Sequence, residues 1–156
     1  MRSSRIAIGT TAAVFAAVCA AAPAAQATNI GTEACTPGYW KNHTESWEEY
    51  WPTMRLKYVF TLPAELSAYA DVTMLQALSF KGGSGNDGAA RILLRAAVAA
   101  HLNAAHEGVG YPYRRAKLPG NLRATIDAAL ASGDREQMLQ VAAWLDEANN
   151  LGCPLS

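Results

Sequence analysis

The sequence has few of the residues that usually build catalytic and metal sites. Its 156 residues include three histidines and three cysteines, and they contain no Gly-x-Ser-x-Gly or His-Glu-x-x-His pattern. Catalysis needs a positioned nucleophile, a base and an orienting group. The sequence therefore favours a non-catalytic protein with no cofactor and no metal. The alternative is a small secreted enzyme that uses His43 with a neighbouring carboxylate.

Blocks of like charge are also lacking. The chain has 13 Lys plus Arg and 13 Asp plus Glu, spread along its length. Two of the arginines lie in the first 27 residues, which leaves 11 basic and 13 acidic residues afterwards and a net charge of −2. Nucleic acids and anionic membranes need a concentrated basic face, so we expect neither as a partner.

Only one long apolar run is present, and it lies at the N-terminus. Arg2 and Arg5 precede an apolar stretch over 6–22, and the residues at 25–27 read Ala-Gln-Ala. A basic segment, an apolar segment and a small-residue cleavage site are typical of a secretory signal peptide. We therefore predict cleavage after Ala27, export from the cell, and a single domain over 28–156 without a membrane span.

The mature chain keeps two cysteines, because the third, Cys19, lies within the predicted signal peptide. An even pair in an oxidising compartment indicates a disulfide. We therefore predict a bond between Cys35 and Cys153, which would close nearly the whole domain into one loop. Two free thiols are the alternative.

An alanine-rich stretch over 86–106 is predicted to be a helix buried on several sides, because its apolar residues cover most of the circumference. Asn86 and Asp87 are candidate N-caps. Four polar residues share one sector and are expected to face solvent or a partner: Arg91, Arg95, Asn103 and His106. The other helical segments are expected to pack around this one in an all-α bundle.

Caps and spacing predict the remaining segments in chain order. A short helix is expected over 37–43, and Ser46 with Glu49 forms a capping-box pattern for a second turn. An irregular segment over 56–62, a short helix over 63–69 and a helix over 72–80 capped by Asp71 follow. After a loop over 106–118, amphipathic helices are predicted over 119–132 and 135–149.

Aromatic residues are concentrated just after Cys35. Their flat faces and polar edges suit a sugar ring or the apolar surface of a protein. We therefore predict a contact face for a cell-surface protein or glycan, although the same rings could instead form a small core over the helices. The candidate residues are Tyr39, Trp40, His43, Trp47, Tyr50 and Trp51, together with Tyr111 and Tyr113, which the fold could bring to them.

Three stretches carry a family resemblance. The stretch over 35–47 reads CTPGYWKNHTESW, and the stretches over 77–106 and 129–156 complete the likeness, which spans nearly the whole mature chain. The chain resembles uncharacterised bacterial secreted proteins and surface modules that carry a GYWKNH signature. That resemblance implies an extracellular binding or cell-surface structural role and implies no particular activity.

Overall fold

The computed structural model describes residues 30–116 and 121–156, and within them the fold is all-α, as predicted. The predicted signal peptide lies outside the described residues. The α-helices are α1 (Pro37–Asn42), α2 (Met74–Ala77), α3 (Gly85–Ala105), α4 (Leu122–Ala131) and α5 (Arg135–Asn149). Short 3₁₀ helices cover Thr44–Ser46, Leu56–Tyr58 and Ala64–Tyr69. The described part of the chain contains two isolated β-bridges and no strand.

Helix α3 forms the centre of the bundle and contacts α1, α2, α4 and α5, most extensively α5. Fourteen of its 21 residues are buried, and many of these are alanines. Small side chains allow neighbouring segments to approach closely. At Gly88 a Cβ atom would lie 2.1 Å from the carbonyl oxygen of Gly83, so the preceding loop requires glycine at that position.

One of the four polar residues of α3 that were expected to face outward is buried. Asn103 has no exposed surface, so its assignment to a solvent-facing sector was wrong. Its Oδ1 accepts hydrogen bonds from the backbone N–H of Cys35 at 2.7 Å and from Trp40 Nε1 at 3.1 Å. Its Nδ2 donates to the Cys35 carbonyl at 2.8 Å and to Asn149 Oδ1 at 3.1 Å. These four bonds satisfy the whole amide group and explain its burial.

The predicted disulfide is confirmed, and it joins Cys35 to Cys153 across 118 positions of the chain. The backbone N–H of Ala34 donates to the carbonyl of Gly152 at 2.9 Å, which pairs the two segments beside the bond. The segment before α1 is therefore held to the exit of α5 by a covalent bond and a backbone hydrogen bond.

The last two helices match the prediction closely. Asp134 caps α5 by accepting from the backbone N–H of Gln137 at 2.9 Å. Helix α4 begins at Leu122, after the N-cap Asn121, whereas the predicted start at 119 lies outside the described residues. The buried stripe of α5 contains the expected Met138, Ala142, Leu145 and Ala148, and Val141 at its edge is half-buried.

Two predicted segments are wrong. The chain does not continue as a helix from Ser46, because Glu49 adopts a positive φ of 60° and turns the backbone away. The helix predicted over 72–80 is confined to α2, and its cap is Thr73, which forms a reciprocal capping box with Gln76. Asp71 instead pairs with Arg55.

None of the helices within 30–116 and 121–156 is both long and apolar enough to cross a membrane.

Candidate functional site

A cavity of about 340 Å³ lies between the segment over 50–59, the loop after α3 and the start of α4. This volume is at the lower end of the range for small-molecule sites. It suits one sugar or aromatic ring better than an extended chain. Four of the side chains that line it are tyrosines: Tyr50, Tyr58, Tyr111 and Tyr113.

The four tyrosines differ in exposure and in their partners. Tyr58 is 67% exposed and lies at the mouth of the cavity. Tyr111 is buried and donates its hydroxyl to Asn149 Oδ1 at 3.1 Å, and burial raises the pKa of that hydroxyl. Tyr113 accepts a hydrogen bond from Trp144 Nε1 at 2.9 Å. Hydrogen bonds with α5 residues thus hold two of the four rings, those of Tyr111 and Tyr113.

Three arginines line the same cavity. They are brought together by the backbone, because the carbonyls of Arg114 and Arg115 accept from the first N–H groups of α4, at Leu122 (2.9 Å) and Arg123 (3.0 Å). The first N–H groups of a helix have no partner within the helix, so this loop satisfies two of them. Capping of α4 therefore places the three cationic side chains at one site.

Two of these arginines are paired with carboxylates. Arg115 Nη1 lies 2.7 Å from Glu49 Oε2 and donates to the Tyr50 hydroxyl at 3.3 Å. Arg123 Nε lies 3.7 Å from Asp127 Oδ2. Burial alone would lower the pKa of Arg115, but the hydrogen bonds to Glu49 and Tyr50 outweigh it and raise the pKa.

Arg114 differs from the other two arginines. Its Nε atom is buried and has no hydrogen-bond partner in the part of the chain that the structure describes. No described carboxylate lies within ion-pair distance of its guanidinium. Charged groups removed from water are normally paired. Among the described residues, Arg95 Nε on α3 also lacks a partner, but Arg95 lies outside the cavity lining, so Arg114 is the cavity residue with this feature.

The imidazole of His101 also lines the cavity. Its Nδ1 lies 3.0 Å from the carbonyl oxygen of Ala97, which can only accept, so Nδ1 carries the proton and Nε2 is an acceptor. Burial lowers the pKa of His101 to about 4. The ring is therefore neutral at ordinary pH and offers one acceptor without adding charge.

The predicted contact residues are divided between this cavity and a separate cluster near the disulfide. Tyr50, Tyr111 and Tyr113 line the cavity. Trp40 has no exposed surface and Tyr111 is 2% exposed, so neither ring is free to form an open contact face. Trp47 is half-buried and donates from Nε1 to the Trp40 carbonyl at 2.9 Å.

Tyr39 belongs to the cluster near the disulfide, because its ring meets that of Trp40 edge to face with 5.3 Å between centroids. Tyr39 stacks on His43 with 4.2 Å between ring centroids, and Trp51 is 63% exposed. His43 is exposed, and no carboxylate of the described residues lies within ion-pair distance of it. No three His, Cys, Asp or Glu side chains converge as a metal site in the described ranges.

Sequence reasoning missed Tyr58, His101 and the three arginines as members of one site. The stretch over 111–115, which reads Tyr-Pro-Tyr-Arg-Arg, contained a signal, since it joins two rings to two cations. The contributions of Tyr58 and Arg123 depend on tertiary packing and leave no local pattern.

Comparisons with protein-family models, with curated proteins and with solved structures find no match to this chain. The resemblance to the GYWKNH proteins therefore stays a prediction.

Proposed function

We propose that the protein is a secreted, non-catalytic binding module of the cell surface or its surroundings, and that it holds a glycan residue in the tyrosine- and arginine-lined cavity. The observation that carries this proposal is the cavity itself. It combines aromatic walls with the unpaired guanidinium of Arg114. Binding sites are typically concave, with apolar walls and a few polar groups that fix orientation.

An extracellular location fits the chemistry of the chain. The Cys35–Cys153 disulfide is of the kind that persists in oxidising compartments. The apolar segment at 6–22 and the Ala-Gln-Ala site at 25–27 favour export. A surface glycan is thus the kind of ligand that such a protein would meet.

Aromatic residues over 50–58 contribute to the proposed contact in two ways. Tyr50 and Tyr58 line the cavity, whereas Trp51 is exposed outside the described lining. Stacking of a sugar on Tyr58 would leave the folded core intact, because that ring is mostly solvent-exposed. Trp51 would extend the contact only if the glycan continues beyond the cavity.

The proposal is tested by retention of the secreted protein on insoluble cell-wall polysaccharide, followed by titration with soluble fragments. We expect Tyr58→Ala to weaken binding by about tenfold, as for an exposed hot-spot residue, with little change in stability. Leu151→Ala is the control, because it removes an exposed apolar side chain that lies outside the cavity lining. Failure of the wild-type protein to bind any polysaccharide would overturn the proposal.

A further inference from the structure

We infer that the cavity selects an acidic sugar, a saccharide ring that carries one carboxylate, and that Arg114 is the residue that binds this group. This inference rests on the proposed function, because it names the ligand class of the same site. It goes further by assigning the charge of the ligand and the residue that binds the charged group.

The charges around the cavity indicate a ligand with one negative charge. Three guanidiniums line the cavity, and none of its described lining residues is Asp or Glu. Glu49 and Asp127 approach from outside the lining and pair with Arg115 and Arg123. Among the described residues at the cavity, three positive charges and two negative charges leave one positive charge without a partner. A carboxylate balances that charge, whereas a phosphate monoester carries a charge of about −1.5 to −2 at pH 7.

The unpaired charge belongs to Arg114. The buried Nε of this side chain lacks a partner, while its neighbours along the loop and on α4 are occupied. A guanidinium presents parallel N–H groups that match the two oxygens of a carboxylate. Partial burial strengthens such a bond relative to one in water. Among the cavity arginines, Arg114 is therefore the one without a carboxylate partner in the described residues.

The rest of the lining suits a sugar ring better than a purely apolar anion. His101 Nε2 can accept a hydrogen bond from a hydroxyl group, because its Nδ1 proton is donated to Ala97. Tyr50 and Tyr58 offer ring faces together with hydroxyl groups. A polyhydroxylated ring with one carboxylate would satisfy the cation, the acceptor and the aromatic walls together.

The inference is tested by titrating the folded, disulfide-bonded protein with three probes: glucuronate, glucose and glucose 6-phosphate. These probes share a pyranose ring and differ in the charged group. We expect glucuronate to bind about tenfold to a hundredfold more tightly than glucose, the range for a hydrogen bond to a charged group. Glucose 6-phosphate is expected to bind less tightly than glucuronate.

Arg114→Gln should remove the preference, so that the variant binds glucuronate and glucose with similar affinity. Arg91→Gln is the matched control, because Arg91 is half-exposed on α3 and lies over the ring of Phe80, outside the described lining. It removes the same charge from the protein and should preserve the preference. Arg114→Lys should retain part of it.

The outcomes separate the two proposals. Equal binding of glucuronate and glucose by the wild-type protein would overturn the inference and leave the binding module intact. Tighter binding of glucose 6-phosphate would assign the site to phosphorylated ligands and also overturn it. If the wild-type protein bound none of the three probes and no polysaccharide, the proposed function itself would be overturned. The comparison among probes uses the wild-type protein, so it remains decisive even if a variant fails to fold.

Discussion

The buried amide of Asn103 should be one of the most sensitive positions of the fold. Truncation in Asn103→Ala would leave three groups without a partner: the N–H and C=O of Cys35 and the indole N–H of Trp40. The fourth partner, Asn149 Oδ1, would still accept from the Tyr111 hydroxyl. Each orphaned buried group costs about 1 to 3 kcal/mol.

We therefore expect Asn103→Ala to lower the free energy of unfolding by about 4 kcal/mol or more, with water entering the gap as partial relief. The measurement is urea denaturation followed by circular dichroism, with linear extrapolation to water. Asn42→Ala is the matched control, because Asn42 is exposed at the end of α1 and its side chain has no hydrogen bond to the described residues. Its cost should stay within about 0.5 kcal/mol.

Asn103→Asp tests the direction of the same hydrogen bonds. The substitution keeps the two bonds at Oδ1 but replaces the Nδ2 donor with an oxygen that faces two acceptors, the Cys35 carbonyl and Asn149 Oδ1. A buried carboxyl in these surroundings should have its pKa raised well above the unfolded value of about 3.9. Relative to the wild type, the variant should be most stable below that value and lose stability as the pH rises through the folded pKa.

Two results would refute this reasoning. A cost below about 1 kcal/mol for Asn103→Ala would mean that the amide does not hold the segment around Cys35. A pH profile for Asn103→Asp parallel to that of the wild type would mean that Nδ2 is not the donating atom.

Three further predictions concern the disulfide, a buried imidazole and export. Cys153→Ser should lower stability by about 4 to 5 kcal/mol, the loop-closure value for a bond spanning 118 positions, and an unchanged urea midpoint would contradict it. The pKa of His101 falls from 6.5 to about 4 on folding, so acid should remove about 3 kcal/mol of stability between these pH values. A His101→Gln variant should not lose this stability in acid. Stability profiles of the wild type and the variant that run parallel with pH would refute the prediction. Export should yield a chain whose intact mass begins at Thr28, and a mass that retains residues 1–27 would exclude cleavage after Ala27.

The parts of the fold that depend on local chemistry could be predicted from the sequence. Helix α5 has a cap at Asp134 and a regular apolar stripe, and α3 has enough apolar circumference to require burial on several sides. The disulfide was predictable because only two cysteines lie outside the predicted signal peptide. In each case the deciding interaction lies within one segment or between the only residues able to form it.

The wrong predictions occurred where two local patterns competed. Asp71 and Thr73 are both good N-caps, and only Thr73 has a Gln three positions later that can complete a capping box. Asp71 is left exposed, where hydrogen bonds to Lys57 and Arg55 lower its pKa. The partners that Asp71 does have, Lys57 and Arg55, lie 14 and 16 positions away in the sequence, so its local pattern gave no sign of them.

The solvent-facing assignment of Asn103 failed for a related reason. Helical periodicity places residues on a face, but it does not show whether another segment covers that face. Here the chain before α1 crosses α3, and its backbone polar groups require a partner in the interior. A polar residue on a helix face can thus indicate either exposure to solvent or a buried hydrogen-bond network.

The turn at Glu49 connects the fold to the proposed site. A positive φ of 60° is unfavourable for a residue with a side chain and costs of order 1 to 3 kcal/mol, so other contacts must hold it. The carboxylate of Glu49 pairs with Arg115 at 2.7 Å, and the same guanidinium donates to the hydroxyl of Tyr50 and lies over its ring. The strained turn therefore takes the chain out of helical geometry after Glu49 and brings Tyr50 to the cavity. It also occupies Arg115, so that of the three cavity arginines only Arg114 remains for a ligand.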